Sequence, residues 1–335
     1  MKIILVTQAR VGSTRFPNKV IQPLSNTTIL GLHLERLKKA KTITKCVVAT
    51  THEEGVESII KIVKENEVEV FQGDLNDVLD RFYQAVVLHQ PDYVVRVTSD
   101  CPLIDPSLID EVVNYTCENN FDYGANILME EFPDGQDIEV FKFKALKRAW
   151  SEAKLPSERE HVTPFIRNNT DYKGGRLFNA NHYPAPNNYS HIRMTVDEPK
   201  DLEAIKTLIE KLGTNRTWQE YTNYIIEHIE EFHNQDIIRN EGYLKSLKND
   251  NILSFDEVSF TLKVKSFPLH SIEVLSTSFS MIVMNLFITS NRTFMDQNKV
   301  LDAQRDGRLV INYLSRNLRE AGLNPYGRKD ATGKR

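Results

Sequence analysis

Short apolar runs and helically spaced apolar residues alternate along the first 120 residues of the chain. Continuous β-prone runs, typical of parallel strands buried on both faces, lie at 3–6, 46–50, 68–71 and 93–97. Between them, apolar residues recur at helical spacing over 29–37, 56–63 and 78–86. This alternation implies right-handed crossovers. The pattern therefore predicts a doubly wound α/β domain with a mostly parallel sheet and helices on both faces.

Beyond residue 120 the pattern is mixed, and it returns to helix only at about residue 198. The polar run 245–251 indicates a linker. We therefore expect a first domain at 1–245, a linker at 246–266 and a separate C-terminal segment at 267–335. That segment opens with an interrupted apolar stretch and continues as a polar helical pattern with a basic tail.

Charge and cysteine content narrow the class of protein. The net charge of −4 over 335 residues is too small to indicate a whole-protein role on nucleic acid or membranes. It is unevenly distributed, since residues 292–335 carry ten Lys and Arg against five Asp and Glu. Three widely spaced cysteines without a C-x-x-C motif favour a reducing compartment. The N-terminal apolar run is too short for a signal peptide, so we expect a cytoplasmic protein.

The polar loop 8–19 follows the first predicted strand, where open α/β sheets bind their ligands. Gly12 permits a tight turn that turns backbone amides toward an anion. Arg10, Arg15 and Lys19 place three cations within ten residues, which suits a polyphosphate. The loop is neither a Walker A motif nor G-x-G-x-x-G. The alternative is a solvated basic turn.

Two aspartates follow other apolar runs and could ligate Mg²⁺ that bridges phosphates. Asp100 follows the fourth predicted strand, and Asp197 follows the short run at 192–196. The alternatives are an ion pair with Arg96 or a capping role for Asp100, and a capping role for Asp197. Capping explains Asp105 well, because Pro106 and a helix follow it. Cys101 is expected to be a small core residue.

Weaker signals lie in three further segments, 73–81, 133–139 and 158–161. The first opens a predicted helix, and helix capping explains most of its charges. The other two offer carboxylates and one imidazole for a polyhydroxylated substrate. Single His and Glu residues are, however, more often structural.

Taken together, these residues resemble the cytidylyltransferase family, most closely its spore coat polysaccharide type, whose relatives include the CMP-sialic acid and CMP-Kdo synthetases. The matching stretches occur in family order over roughly residues 1–240: QARVGSTRFPNK at 8–19, VVAT at 47–50, GDLNDVLDRFYQA at 73–85, VRVTSDCPLID at 95–105, PDGQDIEVF at 133–141, EREHVTPFI at 158–166 and RMTVDEPKDLE at 193–203. The resemblance implies a Rossmann-like fold of the glycosyltransferase-A kind and a homodimer.

The resemblance also implies a role for each matching residue. The nucleotide CTP would be held by Gln8, Ala9, Arg10, Gly12, Ser13, Arg15, Lys19, Val48, Ala49, Thr50, Arg81 and Arg96. Arg10, Lys19 and Asp100 would be catalytic, and Asp100 and Asp197 would bind Mg²⁺. The acceptor sugar would face Gln136, Asp137, Glu139, Glu160 and His161.

The implied reaction is in-line attack of a sugar hydroxyl on the α-phosphorus of CTP, with release of pyrophosphate. The acceptor would be an acidic, ulosonic-type sugar used in surface polysaccharide or glycan biosynthesis. A glycosyltransferase that consumes a nucleotide sugar is the first alternative, because related folds also use an Asp–Mg²⁺ site. The three cations of loop 8–19 favour a free triphosphate over a diphosphate-sugar.

The segment 267–335 resembles a truncated or chimeric type IV minor pilin fragment. Its apolar stretch at 267–290 is interrupted by Pro268 and His270, so it does not form a clean span of about 20 residues. A membrane-associated pilus or surface-assembly role through this segment is the second alternative and is not favoured.

Overall fold

The computed structural model describes residues 1–250 except Thr14 and Ile238. For residues 248 and 249 it describes the backbone but not the side chains. The strands are β1 Ile3–Gln8, β2 Pro23–Leu24, β3 Thr27–Thr28, β4 Lys45–Thr50, β5 Glu69–Gln72, β6 Tyr93–Thr98, β7 Tyr123–Ala125, β8 Glu139–Lys142 and β9 Ala180–His182. The helices are α1 Ile29–Leu37, α2 Glu57–Glu65, α3 Val78–Val87, α4 Pro106–Glu118, α5 Phe143–Glu152, α6 Pro156–His161, α7 Pro164–Asn168, α8 Pro199–Leu212, α9 Trp218–Glu227 and α10 Glu241–Asn249.

Seven strands form one sheet in the order β5-β4-β1-β6-β8-β7-β9. Strands β5, β4, β1 and β6 run parallel, and β8 pairs antiparallel with both β6 and β7. Strand β7 pairs in parallel with β9. The prediction of a mostly parallel α/β sheet is confirmed. The antiparallel β8 comes from the mixed region, where periodicity alone did not define the topology.

Alternate residues of the central strands enter two apolar layers, one on each face of the sheet. In β1, Ile3 and Leu5 belong to one layer, and Ile4 and Val6 belong to the other. Because the side-chain period of a strand is two, a continuous apolar run is what burial on both faces requires. This is why these strands were readable from the sequence.

Local signals define several helix starts. Thr28 precedes α1, and its hydroxyl accepts a hydrogen bond from the Gly31 amide at 3.0 Å. Asp105 precedes α4 and accepts from the Ser107 amide at 2.8 Å, which confirms its capping role. Cys101 is buried, as predicted. Burial raises the pKa of the Cys101 thiol well above its ordinary value, which suits a core residue.

The C-terminal end of the described chain differs from the expected linker. Helix α10 covers 241–249 and runs through the predicted boundary between 245 and 246. Its Ser246 is buried against α6. The described residues belong to a compact unit that spans Met1–Glu257. The rest of the predicted linker and the pilin-like segment lie outside the described residues. Among the helices of the described part of the chain, none is long and apolar enough to cross a bilayer.

Candidate active site

The parallel strands β1, β4 and β6 are in register at their carboxyl ends. Gln8, the last residue of β1, lies opposite Ala49 of β4 and Thr98 of β6. The loops that follow β1 and β6 therefore meet at one edge of the sheet, where open α/β folds bind ligands. We call the loop 8–19 together with Asp100 and Asp197 the nucleotide side of the site.

Lys19, Asp100 and Asp197 meet on the nucleotide side although they are far apart in the sequence. The Lys19 Nζ lies 2.7 Å from Asp100 Oδ2 and 2.9 Å from Asp197 Oδ1. The Val196 amide donates to the Asp100 carbonyl at 2.8 Å, which brings the following residue beside Asp100. Asp100 pairs with Lys19 and not with Arg96, so the structure differs from the alternative of an Arg96 ion pair.

The ionisation of this group follows from its geometry. Burial favours the neutral form of each partner. The Lys19 ammonium nevertheless holds the pKa of Asp100 below its usual range, and the two carboxylates raise the pKa of Lys19 above its usual range. Both side chains are therefore charged at neutral pH. The nucleotide side thus presents anionic oxygens and a cation in a partly exposed site.

Asp197 is held by arginines on two sides. Arg15 contacts its Oδ1 at 2.8 Å, and Arg193 lies 3.3 Å from its Oδ2. Arg193 is buried and also donates to Asp201 at 2.8 and 2.9 Å and to Asp134 at 2.7 Å. This network fixes the carboxylate of Asp197 in place. Sequence reasoning missed Arg193 as a functional residue, since only its position at the start of the 193–203 stretch distinguished it.

The carboxylates of Asp100 and Asp197 fit a small divalent cation. Each has an oxygen within 3 Å of the same nitrogen atom, so their oxygens converge on one point. Hard oxygen donors in this number are what Mg²⁺ takes from a protein when phosphate oxygens complete its coordination. Among the described residues, no group of three or more His, Cys, Asp or Glu side chains could hold a metal without such added ligands.

The predicted nucleotide residues at the ends of β1 and β4 are of two kinds. Some are core residues, and others carry buried polar atoms without a hydrogen-bond partner. Val48 and Ala49 are fully buried in opposite apolar layers, so their side chains do not face a ligand, because strand residues alternate between the two faces. Ala9 is likewise buried. The Thr50 hydroxyl is buried without a hydrogen-bond partner in the described part of the chain, and so is Oε1 of Gln8.

Arg10 and Arg81 place two cations beside these groups. Arg10 is exposed, whereas Arg81 is buried and donates to the Asp74 carbonyl at 2.6 Å. Burial, with the charge of Arg10, lowers the pKa of Arg81 to about 10. The Arg81 Nε has no partner among the described residues. Gly12 and Ser13 lie in the loop directly after Arg10, where Gly12 is exposed and Ser13 is partly exposed. A Cβ at Gly12 would meet the Glu53 side chain.

Two predicted acceptor residues are buried, and here the structure differs from the prediction. Both polar ends of the Gln136 side chain bond to backbone groups, with Nε2 donating to Leu103 at 3.0 Å and Oε1 accepting from Asp105 at 2.9 Å. Glu139 is 1% exposed and binds Arg96 at 2.5 Å and the Tyr123 hydroxyl at 2.6 Å. These partners occupy side chains that the resemblance had assigned to the sugar.

The other predicted acceptor residues are in contact with the C-terminal end of the described chain. Asp137 pairs with Arg239. The Ser246 hydroxyl lies 2.7 Å from Glu160 Oε2 and 2.9 Å from His161 Nε2. We call residues 136–139, 160–161 and 239–246 the acceptor side. Sequence reasoning missed Arg239 and Ser246, because nothing local in the polar run distinguished them from linker residues.

A mostly parallel sheet that carries a basic loop and two convergent aspartates at its carboxyl edge defines a nucleotide-binding α/β protein. The chain belongs to the cytidylyltransferase family, whose model matches residues 3–236. This match covers all the strands and both sides of the site up to the start of the 239–246 segment.

Three comparisons illustrate the family relationship. A solved cytidylyltransferase from Leptospira borgpetersenii serovar Hardjo-bovis is 36% identical with a TM-score of 0.66, over 71% of this chain and 99% of that one. The spore coat polysaccharide biosynthesis protein SpsF of Bacillus subtilis is 29% identical over 63% of this chain and 88% of its own length. The 8-amino-3,8-dideoxy-manno-octulosonate cytidylyltransferase of Shewanella sp. (strain W3-18-1) is 34% identical over 48% of this chain and 69% of its own length.

Proposed function

We propose that this protein transfers CMP from CTP to an acidic, ulosonic-type sugar and releases pyrophosphate, in the biosynthesis of a surface polysaccharide or glycan. The convergence of Lys19 with Asp100 and Asp197 is the observation that carries the proposal. The names of the SpsF and octulosonate cytidylyltransferase relatives support the pathway class and the acidic acceptor. We further propose a cytoplasmic homodimer, as the sequence analysis expects.

The nucleotide side, together with Thr50 and Arg81, would provide groups for each part of CTP. Arg10, Gly12, Ser13, Arg15 and Lys19 would bind the triphosphate, whose negative charges match the cations of this loop. The unpartnered buried atoms of Gln8, Thr50 and Arg81 support a base and ribose position at the ends of β1 and β4. Buried polar atoms without partners are rare in proteins, so a ligand that pairs with them is favoured.

Asp100 and Asp197 would hold Mg²⁺, which when bound neutralises charge on the phosphate oxygens. Lys19 and Arg10 would stabilise the charge that develops as the sugar hydroxyl attacks the α-phosphorus and pyrophosphate leaves. The remaining contribution of the protein is to position the two substrates in line. Arg193 would hold Asp197 in the required orientation through its contacts with Asp201 and Asp134.

The test is a pyrophosphate-release screen with each of the four NTPs and Mg²⁺, with and without 3-deoxy-manno-octulosonate or a nine-carbon sialic acid. We expect release that depends on CTP and on an acidic sugar. Lys19→Met should lower the rate on the order of 10²–10³-fold. Lys39→Met is the matched control, because Lys39 is exposed and bonds only Asn215 among the contacts described for its side chain.

Two results would contradict the proposed function. Absence of pyrophosphate release with all NTPs and sugars would exclude nucleotidyl transfer to these acceptors. Release of a nucleoside diphosphate from a nucleotide sugar would instead indicate the glycosyltransferase alternative. Equal rates for Lys19→Met and Lys39→Met would exclude the assigned role of Lys19.

A further inference from the structure

The acceptor side borders an arginine that neither the motifs nor the family resemblance singled out. Arg167 lies in α7, and its guanidinium lies over the ring of Tyr243 at 5.2 Å from the centroid. The same ring packs edge-on against His161 with centroids 5.1 Å apart. Arg167 makes no ion pair within 4.0 Å with a carboxylate of the described residues, whereas the neighbouring Arg96 and Arg159 each have one.

Glu139 is a carboxylate whose charge acts on Arg167, and it already has other partners. It accepts from Arg96 at 2.5 Å and from the Tyr123 hydroxyl at 2.6 Å. Burial opposes its ionisation, but Arg96 and then Arg167 hold the pKa of Glu139 below its usual range. Its single negative charge therefore lies beside two guanidinium groups.

The other carboxylates near His161 are not paired with Arg167 within 4.0 Å in the described part of the chain. Burial lowers the pKa of His161 to about 4, against the effect of Glu160, so His161 is neutral at pH 7. The Glu160 carboxylate is half exposed and accepts from Ser246. Asp250 accepts from the Ser157 amide at 2.9 Å.

Two further donors in this cluster lack partners. The Arg96 Nε and the Tyr243 hydroxyl are buried and donate to no acceptor within the described part of the chain. A buried donor without a partner is unfavourable, because the hydrogen bonds that it made to water are not replaced. A carboxylate satisfies several donors at once, and it pairs with guanidinium groups in a bidentate way that a neutral hydroxyl does not match.

We propose that Arg167, with Arg96 and Tyr243, binds the carboxylate of the acceptor sugar, and that Glu139 positions the two arginines without contacting the sugar. Arg96, which the resemblance assigns to CTP, is thereby assigned to the sugar because it pairs with Glu139. The inference rests on the proposed function and deepens it, because it assigns the selection of an acidic acceptor to residues of β6, α7 and α10. Arg167→Lys would keep the charge and lose the planar fork, so this variant should bind the acid more weakly than wild type and more tightly than Arg167→Gln.

The test measures CMP transfer and binding in parallel for Arg167→Gln, Arg167→Lys and Tyr243→Phe. With 3-deoxy-manno-octulosonate, Arg167→Gln should raise the KM for the sugar roughly 10- to 100-fold and change the KM for CTP less than about twofold. Titration calorimetry of the sugar into protein loaded with a non-hydrolysable CTP analogue should show the same loss. Arg216→Gln is the matched control, since Arg216 is half exposed and pairs with Glu220 on α9.

The methyl ester of the same sugar separates charge recognition from a folding effect. Wild type should bind the ester weakly, and Arg167→Gln should not weaken it further. An unchanged KM for the acid in Arg167→Gln, or equal loss with acid and ester, would overturn this inference alone. Wild type that binds the CTP analogue but neither binds nor uses the acid would overturn the proposed acceptor class as well.

Discussion

On the nucleotide side, charged side chains from three distant segments meet with part of their surface open to solvent. Lys19, Asp100 and Asp197 have side chains that are 14%, 22% and 20% exposed. On the acceptor side, Gln136 and Glu139 are buried and bonded within the protein. The motif residues of the nucleotide side are therefore accessible to a ligand, whereas these two motif residues of the acceptor side are not.

The difference has a structural cause. Parallel strands end at one edge, so loop 8–19 after β1 and Asp100 after β6 share a site whatever the later topology. Residues 192–196 form no strand, and the hydrogen bond from the Val196 amide to the Asp100 carbonyl places Asp197 there. The acceptor side instead includes residues of the antiparallel β8 and of the helices α6 and α10, and it borders α7. Long-range packing brings these elements together. There, an acidic residue in a motif serves either a substrate or a neighbouring arginine, and only the contacts distinguish the two.

The largest expected effect is on the nucleotide side. Asp100→Ala should reduce Mg²⁺-dependent pyrophosphate release from CTP on the order of 10²–10³-fold or more, because it removes a carboxylate from the proposed metal site. The rate should be measured at saturating CTP and increasing Mg²⁺. Asp236→Ala is the control, since Asp236 is exposed and pairs only with Lys200 among its described ion pairs. Full activity in Asp100→Ala would remove the metal assignment.

Arg193 tests whether the nucleotide side depends on a buried scaffold. Arg193→Met should destabilise the protein by about 3–5 kcal/mol, because Asp201 would remain fully buried without its cation and Asp134 would keep only the more distant Arg239. Urea unfolding measures this loss. Lys206→Met, which removes an exposed pair with Glu203, should change stability by less than about 1 kcal/mol. Similar stabilities for the two variants would show that the buried network is not needed.

The buried His33 predicts that the folding stability of the protein depends on pH. Its Nδ1 and Nε2 bond the Cys101 carbonyl and the Thr7 hydroxyl, at 2.9 and 3.1 Å. Burial lowers the pKa of His33 to about 4, whereas the unfolded chain protonates near 6.5. The unfolded state thus binds more protons between these values, so stability is complete above pH 6.5 and falls as the pH drops toward 4, by up to about 3 kcal/mol.

Urea unfolding at pH 7.5 and 4.5 checks this expectation. His33→Gln keeps one donor and one acceptor but does not titrate, so its stability should fall less over the same interval. Equal losses in wild type and His33→Gln would assign the acid sensitivity to other groups, of which His161 is the first candidate.

The smallest expected effect distinguishes a structural role of Gln136 from a role as a sugar ligand. Gln136→Ala should lower the free energy of unfolding by about 1–3 kcal/mol, because it leaves Leu103 and Asp105 backbone groups without their partners. The KM for the sugar should stay unchanged in the surviving folded protein. A raised KM without a loss of stability would restore Gln136 as a sugar ligand.

The sequence by itself determined the four parallel strands, the helices between them and the position of the basic loop at the end of β1. Those features depend on local periodicity, on caps such as Thr28, and on the rule that loops at strand ends share an edge. Tertiary structure alone decided which carboxylates remain open. It buried Glu139 beside Arg96, tied Asp197 to Arg193, and brought Tyr243 of α10 over Arg167. Whether a side chain is free to bind a ligand depends in some cases on partners more than a hundred residues away in the sequence. The local periodicity of apolar residues does not predict such partners.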